Sequence, residues 1–210
     1  MAKGKMTKSK AKKALGSKQK KEVRKIVKST LSSQAEDKFH EQNEIITVSS
    51  GGQVHRLDAI AVGTTQNERI GNTIRFKKMV VRQEFTVGDE FNIMRTIFFV
   101  WKEQSVPNTA SILSATQTNT PWLANYNYSQ RKNYTILSDR LTTLFKGGDS
   151  IARTRNYTKR WKNGLKSVLE GDTSTSLSTN ANLWVLNISD SGVNPSPQYR
   201  FAMHLFYEDF

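Results

Sequence analysis

Lys3, Lys5, Lys8, Lys10, Lys12, Lys13, Lys18, Lys20, Lys21, Arg24, Lys25 and Lys28 place twelve cations in the first 28 residues of a 210-residue chain, against one acid, Glu22. The chemistry open to such a run is neutralisation of phosphate with release of counterions. Lysine dominates it and no aromatic precedes Phe39. A segment of this kind binds a polyanion by charge, without stacking on bases or reading them. A second group, Arg153, Arg155, Lys159, Arg160 and Lys162, is interleaved with Tyr157 and Trp161. Rings that stack and guanidiniums that pair with phosphate suit single-stranded nucleic acid. The same pattern also fits a region of ion pairs between subunits.

Residues for catalysis are harder to assemble. His40, His55 and His204 are far apart and carry no metal-site spacing. There is no G-x-S-x-G, no glycine-rich phosphate loop and no H-E-x-x-H. The paired carboxylates Asp89-Glu90 and Glu208-Asp209 fall at a turn and at the terminus, where solvation accounts for them. Asp58, Asp149, Asp172 and Asp190 are the right type to hold Ca²⁺ between subunits, but their spacing does not ask for it. With no cysteine in the chain, disulfides and thiolate chemistry are excluded. The expectation is a protein that is not an enzyme, with no cofactor and no metal.

The elements that must carry these groups divide by charge. Residues 1–28 sum to +11, and the remaining 20 basic and 17 acidic residues sum to +3. Like-charge repulsion with nothing apolar to offset ordering entropy keeps residues 1–18 from collapsing. From Lys18 to Leu31 the pattern changes, because Val23, Ile26, Val27 and Leu31 fall on one helical face. Such a helix is marginal alone, since nucleation is costly and lysines crowd it, so it is expected to form on meeting a partner. The reading is a basic arm over 1–31, a polar spacer over 32–43, and a body over 44–210. No run of about 18 apolar residues is present, so no membrane span is expected. The charged N-terminus lacks the apolar stretch of a secretory signal.

The body reads as strand after strand. Runs stand at 44–49, 54–62, 73–87, 91–102, 134–145, 150–161, 182–188 and 199–210. In 73–87, Ile74 and Phe76 keep one phase and Met79, Val81, Phe85 and Val87 the other, so a bulge is expected near Lys77-Lys78. Segments 73–87 and 91–102, joined by the tight turn 88–90, suggest a hairpin. Ile97–Trp101 suggests burial on both faces. Residues 103–133 form a long connection with a short helix near 109–115, capped by Asn108 or Thr109. Clean alternation of Tyr199, Phe201, Met203, Leu205 and Tyr207 suggests a last strand inside a sheet. About eight strands and little helix argue an all-β antiparallel sandwich or barrel.

The Arg-Ile-Gly turn and basic-apolar strand "NERIGNTIRFKKMVVRQEF" (67–85), followed by "RTIFFVWK" (95–102), a long loop and "RKNYTILSDRLTTL" (131–144), resemble single jelly-roll capsid proteins of small icosahedral viruses. The likeness is to those of circular single-stranded DNA viruses and to satellite-virus coat proteins such as that of satellite tobacco necrosis virus. The arm departs from that pattern in being lysine-rich where those are arginine-rich. The resemblance implies an eight-stranded jelly-roll sandwich of two four-stranded sheets and self-assembly into a shell of about 60 copies. It further implies an inward basic arm that packages a single-stranded genome, DNA in the first place or RNA in the second. The place would be the virion, and the Lys-rich terminus also suits an address to the host nucleus. The reading from residues alone leaves open a non-assembling nucleic-acid-binding β-domain with a basic tail.

Overall fold

Alternation dictates the architecture. Along the final strand Tyr199, Phe201, Met203, Leu205 and Tyr207 are buried, whereas Arg200, Ala202, His204 and Phe206 face out. A strand with one apolar face must lay it on a second layer. The computed structural model describes residues 16–34, 36–114, 120–147, 151–192 and 194–209. It divides into two compact units, one up to Ala35 and one from Glu36 onward.

The described part of the first unit is helix α1 (Ser17–Gln34). The second unit holds β1 (Glu36–Thr47), β2 (Gln53–Arg56), β3 (Thr73–Thr86), β4 (Phe91–Trp101), a single-turn helix α2 (Thr109–Ile112), β5 (Tyr134–Phe145), β6 (Ala152–Val168), β7 (Asn182–Ser189) and β8 (Gln198–Asp209). These make two antiparallel sheets, ordered β1-β8-β3-β6 and β2-β7-β4-β5. Except for β4, which β5 follows in the same sheet, each strand from β1 to β7 is followed by one in the opposite sheet. This all-β jelly roll agrees with the expectation. β8 does lie inside its sheet, between β1 and β3. The expected bulge is real too: the β3 register shifts between Phe76 and Lys78. Across from it on β6, Gly164 takes φ +69°, and a β-carbon there would fall 2.2 Å from Arg75 Cδ.

Three sequence expectations are corrected. Residues 73–102 are not a hairpin, because β3 pairs with β6 and β8, and β4 with β5 and β7. The turn after β3 crosses from one sheet to the other, and Gly88 lies there against the backbone of Pro195–Pro197. The strand expected over 54–62 stops at Arg56, and Leu57 and Ile60 are buried from irregular backbone instead. Most of the expected spacer is strand, since β1 starts at Glu36. Its inward side is polar there, and specific partners satisfy it. Lys38 Nζ, fully buried, donates to Glu68 O (2.9 Å) and pairs with Asp209 (3.7 Å). Gln42 donates to Glu44 and to Arg56 O.

The same buried knot explains the Arg-Ile-Gly turn. Arg69 is fully buried and donates to Gly71 O (2.8 Å), Asn72 Oδ1 (2.7 Å), Ile60 O (3.4 Å) and Gly171 O. Asp209 accepts from the Ile70 and Gly71 amides. One guanidinium thus ties loop 57–72 to loop 170–176, and Asp209 on β8 locks onto the first of them.

Ile97–Trp101 is buried on both faces, as expected. One face joins the inter-sheet core with Phe98 and Val100. The other gives Ile97, Phe99 and Trp101 to a second cluster with Trp184, Leu186 and Ile188. The connection before β5 covers that cluster with Ile112, Leu113 and Ala124. Asn108 caps α2, accepting from Ser111 N (2.9 Å). Arg95 pins the cover by donating to Trp122 O (3.1 Å) and Ala124 O (2.6 Å), and it is held by Asp139 at 2.9 and 2.6 Å.

Candidate nucleic-acid interface

Helix α1 carries much of the candidate set. Gly16 begins it, its amide donating to Gln19 Oε1 (3.1 Å) while its carbonyl accepts from Lys20 N (2.9 Å). That is half of a capping box. No acidic residue lies in the first turn and no basic one in the last, so the charge pattern opposes the helix dipole. Lys20–Arg24 and Lys21–Lys25 add like-charge pairs at i,i+4, each costing about 0.2–0.5 kcal/mol. At 100° per residue, positions 18, 21, 24, 25 and 28 share one face, and 23, 26 and 27 share the other. Lys18, Lys20, Lys21, Arg24 and Lys25 are all exposed. Val23, Ile26 and Val27 are 44%, 64% and 49% exposed. The helix therefore presents a cationic face and an apolar face, each without cover in the single chain. A polyanion would relieve the cationic one. The Lys28 position also belongs to α1, while Lys3, Lys5, Lys8, Lys10, Lys12 and Lys13 lie outside the described residues.

The second candidate group sits on β6, which pairs with β3 on one side and is the edge of its sheet. Cross-strand partners share a face. Arg153, Arg155, Tyr157 and Lys159 pair with Phe85, Gln83, Val81 and Met79, all buried, and so point to the inter-sheet side. Arg160 pairs with Lys78 and points to the opposite side. Strand geometry thus brings Arg153, Arg155 and Lys159 together and separates Arg160 from them. The two rings are engaged by the core: Tyr157 stacks on Phe98 with centroids 4.6 Å apart, and Trp161 tilts against Phe76 at 6.3 Å.

Sequence reading missed Arg140. It lies on β5, paired with Thr96, and lines a cleft of about 350 Å³ with Arg155 and Tyr157. Burial, with Arg140 and Arg153 adding like charge, lowers the Arg155 pKa from its ordinary value. Burial pushes the Tyr157 hydroxyl up to about 12. Period-2 alternation along 134–145 would have put Arg140 on the same face as Leu144. The approach of the β5 edge of one sheet to the β6 edge of the other, which makes it a neighbour of Arg155, is a long-range fact.

Of the histidines, His204 is on the outer face and pairs with Glu41 (3.0 Å), and His55 with Glu44 (3.1 Å). His40 is partly buried, and burial, with Arg56 nearby, holds it below its ordinary pKa. The three stand on β1, β2 and β8, and His40 and His204, on paired strands, point to opposite faces of their sheet. No group of three or more metal-ligating side chains gathers among the described residues.

Residues 6–210 match the sequence model of the family described as satellite tobacco necrosis virus coat protein. Among solved structures, the chain is similar to one from Desmodium yellow mottle tymovirus at 6% identity, covering 98% of this chain and 96% of that one, with a TM-score of 0.39. It is similar to one from red clover necrotic mosaic virus at 10% identity, covering 82% of this chain and 54% of that one, with a TM-score of 0.41. A structure of Bacillus endospore appendages, which form disulfide-linked pili, aligns at 9% identity over 84% of this chain and 92% of that one, with a TM-score of 0.31. No curated protein sequence matches the chain.

Proposed function

This chain belongs to the satellite tobacco necrosis virus coat protein family, and on that premise we propose that it is the shell-forming subunit of a small icosahedral virion. Its work is structural: it builds the coat and catalyses nothing. About 60 copies close the shell, the number that gives the smallest icosahedral arrangement of identical subunits. The arm, residues 1–31, turns inward and holds a single-stranded genome. The body from residue 44 onward, with most of the preceding segment as its first strand, supplies the wall.

The observation that carries this reading is the basic, two-faced helix α1, a unit separate from the jelly roll that follows it. At +11 per arm, about 60 arms bring roughly 660 positive charges inside, enough to offset a good part of a genome of on the order of a thousand phosphates. Lysines read phosphate, not sugar or base, so the arm accepts either DNA or RNA. The proposal places the protein in the virion and makes no use of a nuclear address.

The test is electron microscopy of the full-length protein purified from expressing cells, followed by digestion of its contents with DNase or RNase in separate arms. Closed particles that protect nucleic acid are expected, and the nuclease arm names the cargo. A protein that stays monomeric at every salt and nucleic-acid concentration would be a non-assembling binding domain, and the reading would fall.

A further inference from the structure

The edges of the two sheets meet at β5 and β6, and their inward positions there are not apolar. Ser138 and Arg140 pair with Phe98 and Thr96, both buried, and so share the inner face of β5. Arg155 and Tyr157 share the inner face of β6. Arg155 spans the gap, Nη1 donating to Leu141 O at 3.3 Å, one residue from Arg140. The cleft between them, about 350 Å³, has no carboxylate in its lining. Among the described residues neither Arg140 nor Arg155 has an ion-pair partner. Tyr157 Oη is buried there and makes no hydrogen bond. Two guanidiniums at one opening, beside a buried hydroxyl that makes no hydrogen bond, face a lining that offers neutral oxygens and no anion. The buried Tyr157 hydroxyl is costly to leave unmet, and a phosphate answers it together with the two guanidiniums, in charge as well as in hydrogen bonding.

We infer that this cleft binds a phosphodiester of the single-stranded genome, clamped by Arg140 and Arg155 with Tyr157 Oη donating a further hydrogen bond. The inference rests on the nucleic-acid cargo proposed above and is independent of the arm. It gives the body its own contact, one that is already formed before nucleic acid arrives. Inward-pointing charges on edge strands also deter edge-to-edge pairing, and an acidic side chain of a second copy has the same charge as phosphate. The experiment separates these.

Three full-length proteins are titrated with a labelled oligothymidylate of about ten nucleotides across a range of salt. They are the wild type, Arg140→Gln/Arg155→Gln, and a helix variant with Lys18, Lys20, Lys21, Arg24 and Lys25 all changed to Gln. The double variant should lose about 1.4 from the slope of log affinity on log salt, two contacts at about 0.7 each. A bromouracil-substituted oligothymidylate should crosslink to the Tyr157 peptide in the wild type and in the helix variant, and not in the double variant. An unchanged slope and crosslink overturn the inference. They do so whether the double variant behaves normally, aggregates (the arginines then guard the edges) or fails to assemble (they then meet a second copy). If the double variant misfolds by circular dichroism, Arg140→Lys/Arg155→Lys keeps the charges, and loss of the crosslink in that folded protein overturns the inference equally. A helix variant that retains the full wild-type slope sinks the role of α1 and leaves the cleft to be judged by its own slope.

Discussion

Helix α1 and strand β6 are the two cationic segments of this chain, and they hold their charge in opposite ways. On α1 the lysines stand on a helix whose apolar residues Val23, Ile26 and Val27 are 44–64% exposed. On β6 the side chains share their strand with Tyr157 and Trp161, which are packed into the core. The first arrangement has charge and little structure beneath it, so order there depends on what neutralises it. The second is fixed by thirteen register positions with β3 before any ligand arrives. Loose charge suits a cargo of variable path, whereas fixed charge suits a single contact at a set place.

The largest separation between the two should come from the body's buried knot. Replacing Arg69 with Ala orphans the carbonyls of Ile60, Gly71 and Gly171, at about 1–3 kcal/mol for each unmet group. Urea unfolding of the body should shift by about 3 kcal/mol or more, with no change in oligonucleotide salt slope per folded molecule. The mirror experiment changes Lys18, Lys20, Lys21, Arg24 and Lys25 to Gln. Five phosphate contacts at about 0.7 each should take about 3.5 off the salt slope, while the unfolding midpoint of the body stays where it was. A salt slope that does not move would remove phosphate neutralisation as the basis of α1's role.

Smaller effects sharpen the β6 side. Tyr157→Phe removes a buried hydroxyl that has no partner and keeps the stack on Phe98. Without nucleic acid it should stabilise the body slightly, by up to about 1 kcal/mol, read from thermal melting. A clear loss of stability would mean that the hydroxyl has a structural partner. The smallest effect concerns pH. His40 is held below its ordinary pKa in the folded body, so below about 6.5 the unfolded chain takes up a proton that the folded one refuses. Stability is then full above that pH and declines as pH falls through it. His40→Gln should flatten that part of the melting-temperature profile. An unaltered profile would assign the acid sensitivity elsewhere.

How much of this was legible before the structure depended on the range of the interaction. Alternation reads directly along β8 because each side chain's face is set by its own position, and the β3 bulge shows as a phase slip in the sequence itself. The amphipathic spacing of Val23, Ile26 and Val27 likewise marked α1. The β3–β4 hairpin misled because a short turn between two strands looks the same whether it stays in one sheet or crosses between two. β1 hid behind polar residues such as Lys38 and Gln42, whose partners lie at Asp209, Glu68 and Arg56. The grouping on β6 needed the pairing with β3 to separate Arg160 from Arg155, and Arg140 joined only through contact between the edges of two sheets.

The central claim is that the arm, not the wall, gathers the genome. It is tested most directly by deleting residues 1–28 and measuring nuclease-protected nucleic acid per particle beside the full-length protein. The account predicts a folded body with the melting temperature of the parent, and particles that are empty or nearly so. Truncated particles that still protect a full-length genome would contradict it.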